Sequence, residues 1–125
     1  MEFYRIVDVC TNEKRIRDVL TFENLEKMSR HLFEIDTPGK REASIGSIWG
    51  EFTLSRDNIN GGLRFALVEC PNALAWTVTT GFPPERESIV IHLTINRKQK
   101  QQQFIDEIED FLVDHSQCLE NIFCK

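Results

Sequence analysis

The residues best suited to acid–base chemistry in this chain are three histidines, His31, His92 and His115. His92 is the strongest candidate, because it lies in a predicted β-strand and can neighbour Glu51 or Arg64 across a sheet. A histidine beside a carboxylate is the smallest arrangement that forms a general base. A single strand histidine is more often a hydrogen-bonded structural residue, so we predict no catalytic residue.

The sequence lacks the local motifs that accompany a nucleophile, a catalytic zinc ion or a bound phosphate. Gly-x-Ser-x-Gly, His-Glu-x-x-His and the glycine-rich phosphate loop are all absent. The four cysteines form no Cys-x-x-Cys pair, and the histidines are spread over three predicted elements. We therefore predict no metal and no cofactor, and a binding module rather than an enzyme.

The elements that must position these residues are strands between residues 47 and 97. Four segments are rich in Ile, Val, Phe, Trp and Thr and are bounded by Gly, Pro or Asn. They read SIWGEFTLSR, GLRFALVEC, ALAWTVTT and SIVIHLTINR. The connections are short, and one of them is Asn60-Gly61-Gly62, which tolerates the positive φ of a hairpin. The pattern predicts an antiparallel meander.

Alternation along these strands divides their side chains between a core face and an open face. The inward set is Ile48, Gly50, Phe52, Leu54, Leu63, Phe65, Leu67, Leu74, Trp76, Val78, Ile89, Ile91, Leu93 and Ile95. The outward set is Trp49, Glu51, Thr53, Arg64, Ala66, Thr77, Thr79, His92 and Thr94.

The outward set is the candidate functional surface. Its predicted binding residues are Trp49, Glu51, Arg64, Thr77, His92 and Thr94. A solvated antiparallel face often has a similar composition. Trp49 favours the binding interpretation, because a large aromatic ring on a surface is usually shielded from water. The shielding group would be the N-terminal strand, a second subunit or a ligand.

Helices are predicted to cover the inward face. Residues 22–33 and residues 97–123 both carry an apolar stripe, and the second stripe includes His115. A strand is predicted over residues 3–10 and a loop over residues 36–43. Residues 15–20 fit either a strand or a helix, and we favour the strand.

The length of 125 residues is typical of one domain with its own hydrophobic core. We predict a single α+β domain, residues 1–125, built in two layers. Its sheet is mainly antiparallel with five or six strands, and two helices, including a long C-terminal one, pack on one face.

The formal charge of −5 argues against broad nucleic-acid binding, because phosphate contacts need a basic surface. An acidic run at residues 106–110 can also attract a basic partner. No apolar run approaches the ~20 residues that span a bilayer, and no signal peptide is recognisable. We expect a cytoplasmic protein with reduced cysteines and no membrane partner.

These features together predict a non-enzymatic binding module that uses its open sheet face. Its partner is expected to be another protein or a second copy of the chain in a homodimer. An acidic inhibitor or immunity-type protein fits this profile by physical analogy. The alternative is a small-molecule-binding protein or small enzyme, with a pocket between helix and sheet or near His92.

Overall fold

The computed structural model of the protein describes residues 1–37, 39, 41–80, 88–96 and 101–123. Its strands are β1 Glu2–Val7, β2 Phe33–Asp36, β3 Glu42–Ser47, β4 Gly50–Ile59, β5 Gly62–Leu67, β6 Ala75–Thr80 and β7 Ile89–Thr94. Its α-helices are α1 Glu13–Val19, α2 Leu25–Met28 and α3 Gln102–Phe123. A short 3-10 turn, Phe22–Asn24, precedes α2.

The strands form one antiparallel sheet in the order β1-β7-β6-β5-β4-β3-β2. The predicted α+β class and the meander from β4 to β7 are confirmed. In the described part of the chain the sheet has seven strands rather than five or six, and three α-helices rather than two are present. Part of the difference lies at residues 36–43, predicted as a loop, where β2 ends at Asp36 and β3 begins at Glu42.

Residues 15–19 belong to α1 and Leu20 is its C-cap, so the favoured strand prediction was wrong. The Asn12 side chain caps the helix by accepting a hydrogen bond from the backbone N–H of Arg15 at 2.8 Å. Ile16 is the residue of α1 that is fully buried, whereas a strand would bury every second side chain. Arg17 then ties the helix to the β4–β5 hairpin by donating to the carbonyls of Ile59 and Gly62.

The helix predicted over residues 22–33 is much shorter, because the chain becomes extended at Ser29. At this point the Ser29 hydroxyl donates a hydrogen bond of 2.7 Å to the carboxylate of Asp114 in α3, which stabilises the extended backbone. Leu25 and Met28 remain buried, as the apolar stripe predicts. Phe33, the last residue of that stripe, instead begins β2 and is half exposed.

From Leu54 onwards the inward face of the sheet is the face that the sequence predicts, whereas Ile48 and Gly50, also predicted to face inward, are exposed. Its buried residues are Leu54, Leu63, Phe65, Leu67, Leu74, Trp76, Val78, Ile89, Ile91, Leu93 and Ile95. Ile16 of α1, Met28 of α2 and Phe111 of α3 belong to the same hydrophobic cluster. All three α-helices therefore cover one face of the sheet and leave the other face open.

Helix α3 lies along the core and buries the stripe predicted for it, including Phe111 and His115. Its predicted start at residues 97–100 falls outside the described residues. At 1.5 Å per residue its 22 residues are about 33 Å long, enough to cross the sheet. Across the described ranges, neither α3 nor a shorter helix combines the length and apolarity needed to cross a membrane.

Candidate functional site

The open face is organised by the pairing of five neighbouring strands. Cα partners align Asp57 of β4, Arg64 of β5, Thr77 of β6, His92 of β7 and Tyr4 of β1. These five residues are called the central row below. Strands are about 4.8 Å apart, so the row is about 19 Å long.

Two further predicted binding residues, Thr94 and Glu51, lie outside the central row. Thr94 pairs with Glu2 of β1 and adjoins the row at its β1 end. Glu51 pairs with Gly46 of β3, so it lies near the opposite edge of the sheet. The structure therefore brings Arg64, Thr77, His92 and Thr94 together and leaves Glu51 apart.

His92 forms a compact cluster with two residues of β1 that the sequence did not place beside it. The rings of His92 and Tyr4 stack with centroids 4.3 Å apart and planes within 5°. The Nε2 atom of His92 lies 2.8 Å from Oε1 of Glu2, and the Tyr4 hydroxyl donates to the same oxygen at 3.3 Å. The expected neighbours were wrong, because Glu51 is remote and Thr77 separates His92 from Arg64.

The cluster combines a phenol, an imidazole and a carboxylate in contact with water. Partial burial, and after it the carboxylate of Glu2, raise the pKa of the Tyr4 phenol, so the phenol keeps its proton at neutral pH. The side chain of Glu2 is 60% exposed, which leaves the cluster in contact with water. It can offer a ring face and hydrogen bonds to a partner, whereas proton transfer catalysis is favoured in sites that exclude water.

Large apolar side chains lie at both ends of the open face. Tyr4 and Ile6 on the edge strand β1 are 61% and 62% exposed, Phe33 on the opposite edge strand β2 is 51% exposed, and Val68, directly after the central strand β5, is 54% exposed. The Phe33 ring covers Gly46, where an added Cβ atom would lie 2.1 Å from the ring. The glycine thus allows Phe33 to lie flat on the open face rather than point away from it.

Carboxylates mark the β3–β4 part of the same face. The backbone N–H and the hydroxyl of Thr53 donate to the carboxylate of Glu69 at 2.7 and 2.6 Å. These hydrogen bonds lower the pKa of Glu69 and fix its charge at neutral pH. Glu69 and Glu51 share a shallow depression of about 360 Å³ with Ile35.

Trp49 does not lie on the open face, so its predicted placement was wrong. It occupies the β3–β4 turn, where the hydroxyl of Ser47 accepts from the Trp49 N–H and donates to the Gly50 carbonyl. Gly50 has a φ of +111°, which a glycine adopts readily. The indole packs on the inner face, 6.2 Å from the ring of Phe104 and 5.6 Å from the ring of Phe111.

A second group of reactive residue types lies at the contact between α2 and α3. Asp114 accepts hydrogen bonds from the Ser29 hydroxyl at 2.7 Å and from the backbone N–H and Nε of Arg30, both at 2.8 Å. Burial alone would raise the pKa of Asp114, but the hydrogen bonds from Ser29 and Arg30 outweigh it and lower the pKa. Nδ1 of His115 donates to the carbonyl of Met28 at 2.7 Å. These bonds fasten α3 to the end of α2, with the Ser29 hydroxyl directed to Asp114 and Nδ1 of His115 directed to the Met28 carbonyl.

Replacing Asp114 with alanine should lower the free energy of unfolding by about 2 kcal/mol. The Ser29 hydroxyl and the Arg30 N–H would lose their acceptor in a partly buried position. Urea unfolding measures the effect. Asp110→Ala removes an exposed carboxylate one turn earlier on α3 and should cost less than about 0.5 kcal/mol. Equal losses in both variants would show that the Asp114 contacts do not stabilise the fold.

Comparison with known proteins shows the fold and does not extend to activity. No protein-family model and no curated protein matches the sequence. A solved structure of the protein XoxI from Bacillus cereus superposes with a TM-score of 0.68 over 98% of this chain and 94% of that chain, at 11% identity. A putative uncharacterized protein from Bacillus thuringiensis gives a TM-score of 0.65 over 100% of this chain and 98% of that chain, also at 11% identity.

Proposed function

We propose that the protein is a non-enzymatic binding module whose open sheet face docks on a protein partner. The observation that supports this most strongly is the presence of Tyr4, Ile6, Phe33 and Val68, each more than half exposed, on one uncovered face. Where an antiparallel face meets only water, its outward positions are usually polar. Burying exposed apolar area gains about 25 cal/mol per Å², so a partner that covers these side chains is favoured.

The charge of the open face favours a basic partner over a second copy of the chain. Glu2, Glu51 and Glu69 lie on it together with Arg64, and the whole chain has a formal charge of −5. Two open faces brought together would place carboxylates near carboxylates, which costs energy. A partner with basic residues around an apolar centre would complement it. An acidic inhibitor or immunity-type role against a basic protein fits this chemistry by physical analogy.

Site-specific photo-cross-linking tests the proposal. A photoreactive benzoylphenylalanine at position 77 lies in the middle of the central row, and the same group at position 117 lies on the exposed side of α3. In a lysate of the native host cells, position 77 should cross-link to a protein with a basic surface, and position 117 should not. Cross-links to a second copy of the chain from position 77 would show self-association instead. Cross-links from position 117 alone would contradict the proposal.

Tyr4→Ala should weaken the captured complex by about tenfold or more, because exposed aromatic residues often dominate binding energy. The variant removes the ring that stacks on His92 without disturbing the buried core. Isothermal titration calorimetry with the purified partner measures the change. Val113→Ala, which trims an exposed apolar side chain on α3, is the matched control and should leave the affinity within about twofold.

A further inference from the structure

A depression of about 260 Å³ lies on the inner side of β4, away from the open face. Its lining residues come from the start of the 3-10 turn, from the connection after β2 and from β4. They are Thr21, Phe22, Glu23, Thr37, Gly39 and Arg56. The depression is smaller than the roughly 300–1,000 Å³ of sites for drug-sized ligands, so it suits a small metabolite.

Arg56 brings an incompletely paired cation to this depression. Its Nε donates to the carbonyl of Leu20 at 2.8 Å, and its Nη2 donates to the carbonyl of Arg17. A guanidinium group has five N–H donors, so three donors have no acceptor among the described residues. No carboxylate of those residues lies within ion-pair distance of Arg56. Desolvation lowers the pKa of Arg56, and a desolvated cation gains from a bound anion.

Glu23 brings the opposite charge to the same depression. Within the described parts of the chain, its carboxylate has no ion-pair partner and accepts no hydrogen bond. The Thr21 hydroxyl likewise makes no capping hydrogen bond to the turn that it precedes. The Thr37 hydroxyl is already used, because it donates to Glu34.

We infer that this depression binds a small zwitterion of the α-amino acid class, with its carboxylate on Arg56 and its ammonium group near Glu23. A singly charged ligand is attracted by one of these two lining charges and repelled by the other, whereas a zwitterion can pair favourably with both. The Thr21 hydroxyl supplies a further hydrogen bond to the ligand carboxylate. Bidentate pairing of guanidinium with carboxylate supplies the orientation.

The test is a nuclear magnetic resonance titration of the whole chain with the standard L-α-amino acids. Acetate, methylammonium and inorganic phosphate serve as singly charged and anionic probes. At least one amino acid should shift the amide signals of Thr21, Glu23 and Gly39 and bind about tenfold or more tightly than acetate. Glu23→Gln should weaken the binding of that amino acid about tenfold and leave the binding of acetate unchanged or stronger.

Glu26→Gln is the matched control, because it removes the same charge from an exposed position three residues further along. It should leave amino acid binding within about twofold. The inference is overturned if no amino acid shifts these signals at 20 mM, on the order of the weakest binding expected from a few polar contacts. It is also overturned if acetate or phosphate binds as tightly as the best amino acid, or if both Gln variants behave alike. None of these results bears on the open face, which lies on the other side of the sheet.

Discussion

Replacing Phe111 with alanine is expected to lower the free energy of unfolding by about 4 kcal/mol. The ring is fully buried and joins α3 to the sheet, with centroids 5.1 Å from the Trp76 ring and 5.6 Å from the Trp49 ring. Its loss removes buried apolar area and leaves a cavity that stiff aromatic neighbours cannot fill. Urea unfolding followed by tryptophan fluorescence measures the change.

Val113→Ala, two residues along α3, is the control because Val113 is exposed. It should cost less than about 1 kcal/mol, since little apolar area returns to water. If the two variants lose the same stability, α3 does not cover the sheet as described. A large loss from Val113→Ala alone would mean that the helix presents a different side to the core.

Acidification from pH 7 to pH 4 is expected to cost about 3 kcal/mol of folding free energy through His115 alone. Burial lowers the pKa of His115 to about 4, against an ordinary value of 6.5. As the pH falls through 6.5 the unfolded chain binds a proton that the folded chain does not, so the equilibrium moves towards unfolding. The loss levels off below about pH 4, where the folded protein binds the proton as well.

The environment of His115 explains why protonation is unfavourable. The ring stacks on Phe111 and meets the edge of Trp76, and its Nε2 atom has no hydrogen-bond partner in the described part of the chain. A proton on Nε2 would therefore be a buried donor without an acceptor. The adjacent carboxylate of Asp114 opposes this effect only partly, as the lowered pKa shows. The pKa of Asp114 is itself lowered. Its carboxylate therefore keeps its charge while the pH falls through the range in which protonation at His115 favours unfolding.

Urea unfolding at a series of pH values between 7 and 4 measures the slope, with His115→Leu as the test variant. The variant should lose most of the pH dependence in this window, whatever its stability at pH 7. Leu54→Ala, which trims a fully buried side chain without a titratable group, should lower the stability and retain the slope of the parent. A His115→Leu protein with the parental slope would contradict the assignment.

The inner face of the sheet was predictable because alternation repeats over four strands. Leu63, Phe65 and Leu67 illustrate the point, since a shift of one residue would expose all three. The β2–β3 hairpin was not predictable in the same way. Strand β3 contains Ala43 and Gly46 and carries little of the β-branched composition that marks the other strands.

Helix α1 and the short α2 show where contacts overrule local pattern. The alternation of Arg15, Ile16 and Arg17 looks like a strand, but the Asn12 cap and the Arg17 bonds to the β4–β5 hairpin stabilise a helix. Ser29 ends α2 through a bond to Asp114, a residue 85 positions away. A contact over that separation leaves no local signal.

The candidate surface was predictable in its centre and not at its edges. Thr77 and His92 share a face because of strand parity, which the sequence shows directly. Glu2 and Tyr4 complete the cluster only because β1 pairs with β7, and no local pattern fixes which edge β1 joins. Trp49 was misplaced because Ser47 and Gly50 form a turn, and the Ser-x-x-Gly spacing is the signal that could have revealed it.

Binding through the open face is tested most directly by the affinity of the cross-linked partner for two charge-matched variants. Thr77→Arg places a long cation in the middle of the central row, whereas Gln117→Arg places the same group on the exposed side of α3. We expect Thr77→Arg to weaken binding by about a hundredfold and Gln117→Arg to leave it within about twofold, provided both variants unfold like the parent. Unchanged binding by Thr77→Arg together with a loss in Gln117→Arg would contradict the account.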